Sequence, residues 1–415
     1  MSAPALALAG GTPIRSRPFP AWPVFGVEEE RRLVRVLRSG QWGRLDGAEV
    51  DAFEAQFAAM HGCRYGIAVV NGTVALRIAL LAAGIRAEDE VIVPPYTFVA
   101  TATAVLEANA IPVFADVSLA TFNLDPAAVA AAITPRTRAI IPVHFAGQPA
   151  DMDAIRALAE PRGILVLEDA AHAHGASYRD RPAGSLGDLA TFSFQSSKNV
   201  TAGEGGIITT NDAALARACR SVHNCGRVPE GVWYEHHVVS GNYRLGELQG
   251  ALLNCQLERF EEQARTRERN GLRLARELGG IPGLHVQQRS EACTRHAYHL
   301  FMMRIDPAAF GAPRAALRAA LDAEGIPCSA GYGYSLPDQP LFRNKAFGPY
   351  VPGAGERLDY RSARCPNSDL LCRDQALWLG QNLLLGTDAD IDDIVAAFEK
   401  VYALRHQLST LDSSP

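Results

Sequence analysis

From about residue 64 onward, short apolar runs rich in β-branched residues alternate with longer stretches whose apolar positions recur every three or four residues. Runs of the first kind at 67–70, 91–93, 113–116, 139–143, 164–168, 191–194 and 207–210 predict strands, and the second pattern predicts helices at 74–83 and 127–133. Apolar strands separated by helices imply a mostly parallel sheet covered on both faces, an α/β fold. Past Gly250 the alternation stops. A charged amphipathic stretch at 257–278 reads as one long helix ended by Gly279-Gly280. It leads into a smaller α+β domain that closes with a helix around 391–405. The expected division is a large domain over 1–262 and a small one over 263–415, with the segment up to about residue 15 packing elsewhere.

Composition narrows the class without naming it. The 415 residues are 48% hydrophobic and 20% charged, as in a soluble globular protein, and carry 40 basic against 45 acidic side chains. No basic stripe offers a docking surface for a phosphate backbone, so nucleic acid is not an expected partner. No run approaches the roughly 20 apolar residues of a membrane span. The eight cysteines are scattered and form no CxxC pair, so neither a disulfide framework nor a zinc knuckle is signalled, and the cytoplasm is the expected compartment. Lysine stands only at Lys198, Lys345 and Lys400; the other basic residues are arginine. Under such a bias each lysine marks a place where arginine chemistry does not substitute.

In an open parallel sheet, ligands bind at the carboxyl ends of the strands, so the polar residues just past each strand carry the candidate chemistry. After the first strand comes Asn71-Gly72-Thr73, leading directly into a helix. Free N–H groups and a hydroxyl at a helix start form a phosphate cradle, or, read alone, an ordinary N-cap. After the fifth strand comes Glu168-Asp169-Ala170-Ala171-His172-Ala173-His174. A carboxylate here can hold a cationic ring nitrogen protonated. The two histidines are two apart, which is not the i, i+4 spacing of paired zinc ligands, and no metal is expected. After the sixth strand, Ser193-Phe194-Gln195-Ser196-Ser197-Lys198 precedes the glycine-rich Gly203-Glu204-Gly205-Gly206. A sequestered lysine loses its proton and becomes a nucleophile toward carbonyls. Phosphate cradle, strand-end carboxylate and loop lysine are together the parts that pyridoxal phosphate needs, with Pro94-Pro95-Tyr96-Thr97-Phe98 supplying aromatic rings.

These residues resemble those of the fold-type I pyridoxal-phosphate enzymes, and the chain is similar to the DegT/DnrJ/EryC1/StrS family of sugar and aminocyclitol aminotransferases. The resemblance is carried by Gly10-Gly11-Thr12-Pro13, Asn71-Gly72-Thr73, Pro142-Val143-His144, and the segments 94–100, 168–175, 192–206 and 241–257. It implies that Lys198 bonds the cofactor and moves the proton during transfer. Asp169 would bind the pyridine nitrogen, Phe98 would stack on one ring face, and His172 would contact the cofactor from the other side. Gly72, Thr73 and Ser193 would hold the phosphate. Asn242 matches the asparagine that reaches the phosphate of the neighbouring subunit, which implies a homodimer with shared sites. The resemblance further implies glutamate or glutamine as amino donor and a keto-sugar or keto-cyclitol as acceptor, in amino-sugar, aminocyclitol or antibiotic-type biosynthesis. Phe194-Gln195 and the segments 201–206 and 364–369 are similar to those of 3-amino-5-hydroxybenzoate synthases and scyllo-inosose aminotransferases. The resemblance gives the C-terminal region a part in shaping the acceptor pocket; there the chain reads Tyr334-Ser335-Leu336-Pro337-Asp338 and lacks the Leu-His pair that follows the tyrosine in many relatives.

Alternatives remain open at this level. The same lysine serves a dehydratase or aromatising synthase of the 3-amino-5-hydroxybenzoate type, although family dehydratases carry histidine in its place. A noncatalytic relative would not need both Lys198 and Asp169. A nicotinamide dehydrogenase lacks its GxGxxG fingerprint here.

Overall fold

The computed structural model describes residues 5–351 and 359–410. Seven strands form the main sheet: β1 Tyr65–Val69, β2 Glu90–Val93, β3 Ile111–Phe114, β4 Thr137–Ile140, β5 Leu165–Asp169, β6 Leu189–Ser193 and β7 Gly206–Thr210. Their spatial order is β1-β7-β6-β5-β4-β2-β3. Strands β3, β2, β4, β5 and β6 pair in parallel, while β7 runs antiparallel to both β6 and β1. All seven expected strands are present in this sheet, with ends shifted by up to three residues.

Alternation explains why the strands read as continuous apolar runs. Successive side chains leave a strand on opposite faces, and both faces here are covered. Ile67, Val69, Val91 and Val93 join one core with helices α3 (Gly72–Ala82) and α4 (Ala100–Glu107). Their neighbours Ala68 and Ile92 face the opposite core, with Phe53 and Phe57 from the helix Glu49–Met60. The expected helix at 127–133 is Pro126–Ala132, capped by the Asp125 carboxylate.

The long helix Glu247–Leu278 begins ten residues earlier than its charge pattern predicts, because its first turns are apolar and buried against the large core. Glu247 caps the helix Glu49–Met60, accepting from the N–H groups of Glu49 at 2.6 Å and Val50 at 3.3 Å. Gly279 ends the long helix without adopting a left-handed conformation. Leu253 and Phe260 pack in the large core, whereas Leu274 and Leu278 enter a second core built on the antiparallel sheet of β8 (Leu284–Val286), β9 (Leu300–Ile305) and β10 (Ala376–Gly380). Helix Asp388–Ala403 covers that sheet. The N-terminal segment packs there too: Arg15 pairs with Asp390 at 2.8 Å and Asp393 at 2.7 Å, and Leu6 is buried among the same residues.

One buried carboxylate ties the turn after β5 to the sheet. Glu168 accepts from the backbone N–H groups of Gly184 at 2.8 Å and of Leu186 and Gly187 at 2.7 Å, and from His144 Nε2 at 2.8 Å. His144 Nδ1 accepts the Ala150 N–H, so its proton sits on Nε2. Burial alone would raise the Glu168 carboxyl, but these donors outweigh it and hold it below its ordinary range. Such a group contributes stability above its unfolded value and loses it as pH falls through the folded one. Glu168→Gln would set an NH₂ against these donors and is expected to cost about 2–4 kcal/mol at pH 7. Chemical denaturation from pH 7 downward checks this: the gap to wild type should narrow as the pH drops below the ordinary glutamate value of 4.5.

Candidate active site

A cavity of about 720 Å³ opens at the carboxyl ends of the central strands. Of the eight sequence-predicted site residues, it brings seven together: Gly72, Thr73, Phe98, Asp169, His172, Ser193 and Lys198. Asn242 does not line it. That residue is exposed and bridges Asn224 through the backbone.

Local chemistry positions each group. Asn71 caps α3 by accepting the Val74 N–H at 2.9 Å, which leaves the Gly72 and Thr73 N–H groups at the open, positive end of the helix. A side chain at Gly72 would meet Ser193 Cβ at 2.8 Å, and one at Gly206 would meet the Asn71 carbonyl at 2.5 Å. The glycines therefore let the helix start press against the ends of β6 and β7, beside the Ser193 hydroxyl.

Asp169 closes β5 and is buried. Thr101 donates its hydroxyl to Oδ2 at 2.8 Å and the Ala171 N–H reaches Oδ1 at 3.2 Å. Burial raises its carboxyl above the usual aspartate range, with Thr101, Ala171 and the Lys198 charge pulling the other way. Burial likewise pulls the Lys198 ammonium down to about 8, against the opposing effect of Asp169. About a tenth of the lysine is thus free amine at pH 7, far more than at an ordinary lysine, as a carbonyl nucleophile requires. Lys400 is engaged differently, donating to Glu324 at 2.9 Å and to the Thr12 carbonyl at 2.7 Å.

The histidines are neutral donors and acceptors, since burial lowers the proton affinity of His172, His174 and His299 well below the ordinary value. His172 Nδ1 accepts the Ala146 N–H at 3.3 Å, which places its proton on Nε2. Its ring lies 4.2 Å from that of His299. Asn199 uses its NH₂ on the Ala297 carbonyl and so offers its oxygen to His299 Nδ1 at 3.2 Å, leaving His299 Nε2 bare.

Phe98 stands at the cavity mouth with 59% of its surface exposed. The remaining wall was not read from the sequence. Trp22, Thr97, Thr101, His299, Tyr332, Trp378, Gln381 and Asn382 all line it. The C-terminal region does reach the cavity wall, through Tyr332, Trp378, Gln381 and Asn382, whereas the Tyr334 ring is 60% exposed and does not line it. Tyr332 packs edge to face against Trp378 and Tyr96. Gln381 and Asn382 follow β10 directly, so the strand-end rule applied to the first seven strands would have found them.

The chain belongs to the DegT/DnrJ/EryC1/StrS aminotransferase family, whose pattern matches residues 24–399. It is 40% identical over 376 residues to 3-amino-5-hydroxybenzoate synthase of Amycolatopsis mediterranei, covering 90% of this chain and 94% of that protein. It is 38% identical to an L-glutamine:2-deoxy-scyllo-inosose aminotransferase of Streptoalloteichus tenebrarius, covering 97% and 98%. Among solved structures, 3-amino-5-hydroxybenzoic acid synthase superposes with a TM-score of 0.84 at 37% identity, over 94% of this chain and 100% of that one. DesI, solved in the presence of its TDP-sugar product, gives 0.82 at 31% identity over 99% of both chains.

The depressed proton affinity of Lys198 has a direct consequence. Reductive methylation with formaldehyde and cyanoborohydride, mapped by mass spectrometry, should label Lys198 with a half-maximal rate near pH 8. Because the Asp169 carboxylate supports the ammonium form, Asp169→Asn should move that midpoint to lower pH. A midpoint at the ordinary lysine value of 10.5 would contradict the burial argument.

Proposed function

We propose that the chain is a homodimeric, pyridoxal-phosphate-dependent aminotransferase that moves the amino group of glutamine or glutamate onto a keto-cyclitol or keto-sugar. The observation that carries the reading is the juxtaposition, in one cavity, of a partly deprotonated lysine, a buried carboxylate and the open end of α3.

The donor set fits the cofactor group by group. The Gly72 and Thr73 amides and the Ser193 hydroxyl would hold the phosphate. Asp169, with both carboxylate oxygens already oriented by Thr101 and Ala171, would take the pyridine N–H, and the raised proton affinity it has when buried alone favours such a cationic partner. His172 would lie against one ring face and Phe98 against the other. When bound, pyridoxal phosphate supplies an aldehyde for the lysine and an electron-withdrawing ring. Lys198 Nζ would take the proton from the donor carbon and deliver it during transfer, a role that its lowered proton affinity favours.

Among the described residues Lys198 is the cation of the cavity lining, alongside Glu204, Asp169, neutral imidazoles and amides. An uncharged, hydroxyl-bearing acceptor suits that wall, and the names of relatives such as the 2-deoxy-scyllo-inosose aminotransferase agree in kind. All eight cysteines stand as free thiols, which fits the cytoplasm as working compartment. Asn242, exposed and outside its own cavity, is read as reaching the phosphate site of a two-fold partner.

Reconstituted protein should show the spectral change of amino transfer with glutamine or glutamate and its reversal with an inosose. Lys198→Arg should bind the cofactor without turnover, since a guanidinium neither condenses with the aldehyde nor accepts the proton. Asp169→Asn should lose roughly a hundredfold or more in rate. Subunit exchange tests the shared site: inactive Lys198→Ala and Asn242→Ala chains should rescue each other to about half of normal activity per heterodimer. Mixtures that stay inactive would remove Asn242 from the site.

A further inference from the structure

Gln381 and Asn382 lie just past β10, on the cavity wall beside Trp378. Each has one end of its amide tied away from the cavity. Gln381 Oε1 accepts the Nε–H of Arg267 at 2.8 Å, and Asn382 Nδ2 donates to the Pro20 carbonyl at 2.9 Å. A guanidinium has only donors and a carbonyl only acceptors, so neither amide can turn over without setting like against like. In these two lining residues the Gln381 NH₂ and the Asn382 carbonyl oxygen are the amide ends left over. Neither has another partner among the described residues.

Arg267 makes this orientation stiff. It is fully buried, and its two terminal nitrogens have no partner among the described residues. The Trp22 ring lies over it at 5.1 Å, and the Trp22 indole N–H is anchored on the Ser196 carbonyl at 2.9 Å. Burial draws the guanidinium down to about 9, so it still carries its charge at neutral pH. The same cavity is lined by the Trp378 and Tyr332 rings, which meet edge to face at 4.9 Å, and the Trp378 N–H is held by the Tyr96 hydroxyl at 3.1 Å. A donor and an acceptor on consecutive residues, in a cavity that also holds aromatic surface, match a saturated ring that carries adjacent hydroxyl groups.

We propose that Gln381 and Asn382 read two neighbouring hydroxyls of an uncharged ring ketone, and that Arg267 is the positioning residue that fixes the polarity of that readout. The proposal rests on the aminotransferase reading and names the acceptor class for it.

The test uses the full-length holoenzyme with an inosose as acceptor and glutamine as donor, together with calorimetric titration of scyllo-inositol, which cannot react. Gln381→Met should raise the inosose KM roughly three- to tenfold more than the glutamine KM, and weaken inositol binding by a similar factor. Arg267→Gln, which touches no ligand, should act in the same direction, and the double variant should be no worse than Gln381→Met alone. Asn382→Leu leaves the Arg267 contact intact and should show the same split, which keeps the test decisive if Gln381→Met fails to fold. Equal losses for donor and acceptor, an unchanged inosose KM, or additive effects of the two single variants would overturn the proposal. Failure of wild type to take an amino group from glutamine or glutamate would instead overturn the function on which it rests.

Discussion

Two adjacent carboxylates at the end of β5 set the terms for everything around them. Glu168 and Asp169 leave the strand on opposite faces, because successive side chains alternate, and both are buried. A buried carboxylate is tolerated only with donors around it, or with its proton retained. Glu168 collects four donors and stays ionised as a structural anchor. Asp169 has two, and its carboxyl is raised, so its charge is stabilised by whatever cation faces it in the cavity. One strand end thus separates a structural charge from a chemical one. The anchor matters to the chemistry because the Asp169 backbone is itself pinned, donating to the Pro142 carbonyl at 2.9 Å and accepting from the His144 N–H at 3.0 Å.

The same low-polarity surroundings explain why three histidines near a lysine do not compete with it for protons. Burial disfavours every charged form there, and imidazoles start from an already low proton affinity, so it leaves them neutral. His172 and His299 therefore serve as fixed donors and acceptors, their tautomers set by Ala146 and Asn199. Lys198, drawn down only to about 8, remains the titrating base of the site.

How much of this was legible depended on the range of the interactions. The large sheet was readable because each strand is buried on both faces, so its whole run is apolar. The cradle at Asn71-Gly72-Thr73, the Asp169 end of β5 and the Lys198 loop were readable because the strand-end rule puts chemistry within a few residues of a strand. The helix start at Glu247 was missed because its apolar first turns give no charged face to detect. Thr101 was invisible for a related reason: a hydroxyl in an alanine-rich helix has no local signature, and its role comes from Asp169, 68 residues away. Trp22 and Pro20 lie in a segment without regular structure, and nothing in their neighbourhood marks Trp22 as cavity wall or Pro20 as the partner of Asn382.

The proposed acceptor readout draws on residues of that last class, and there is a physical reason for it. Gly72, Thr73, Asp169, Ser193 and Lys198 sit on or just past strand ends and at a helix start, so their geometry is fixed by the sheet. Gln381 and Asn382 on the cavity wall are instead held by distant segments: Arg267 on the long helix, beside Trp22, fixes Gln381, and the Pro20 carbonyl near the N-terminus fixes Asn382. No two of those three regions are neighbours in sequence, and each holds another's side chain in one orientation. In the proposed readout hydrogen-bond polarity, not shape alone, distinguishes acceptors, because a flipped amide would present a donor where an acceptor is needed. Substitutions in any of the three regions would then change that readout while Lys198 and Asp169 stay as they are.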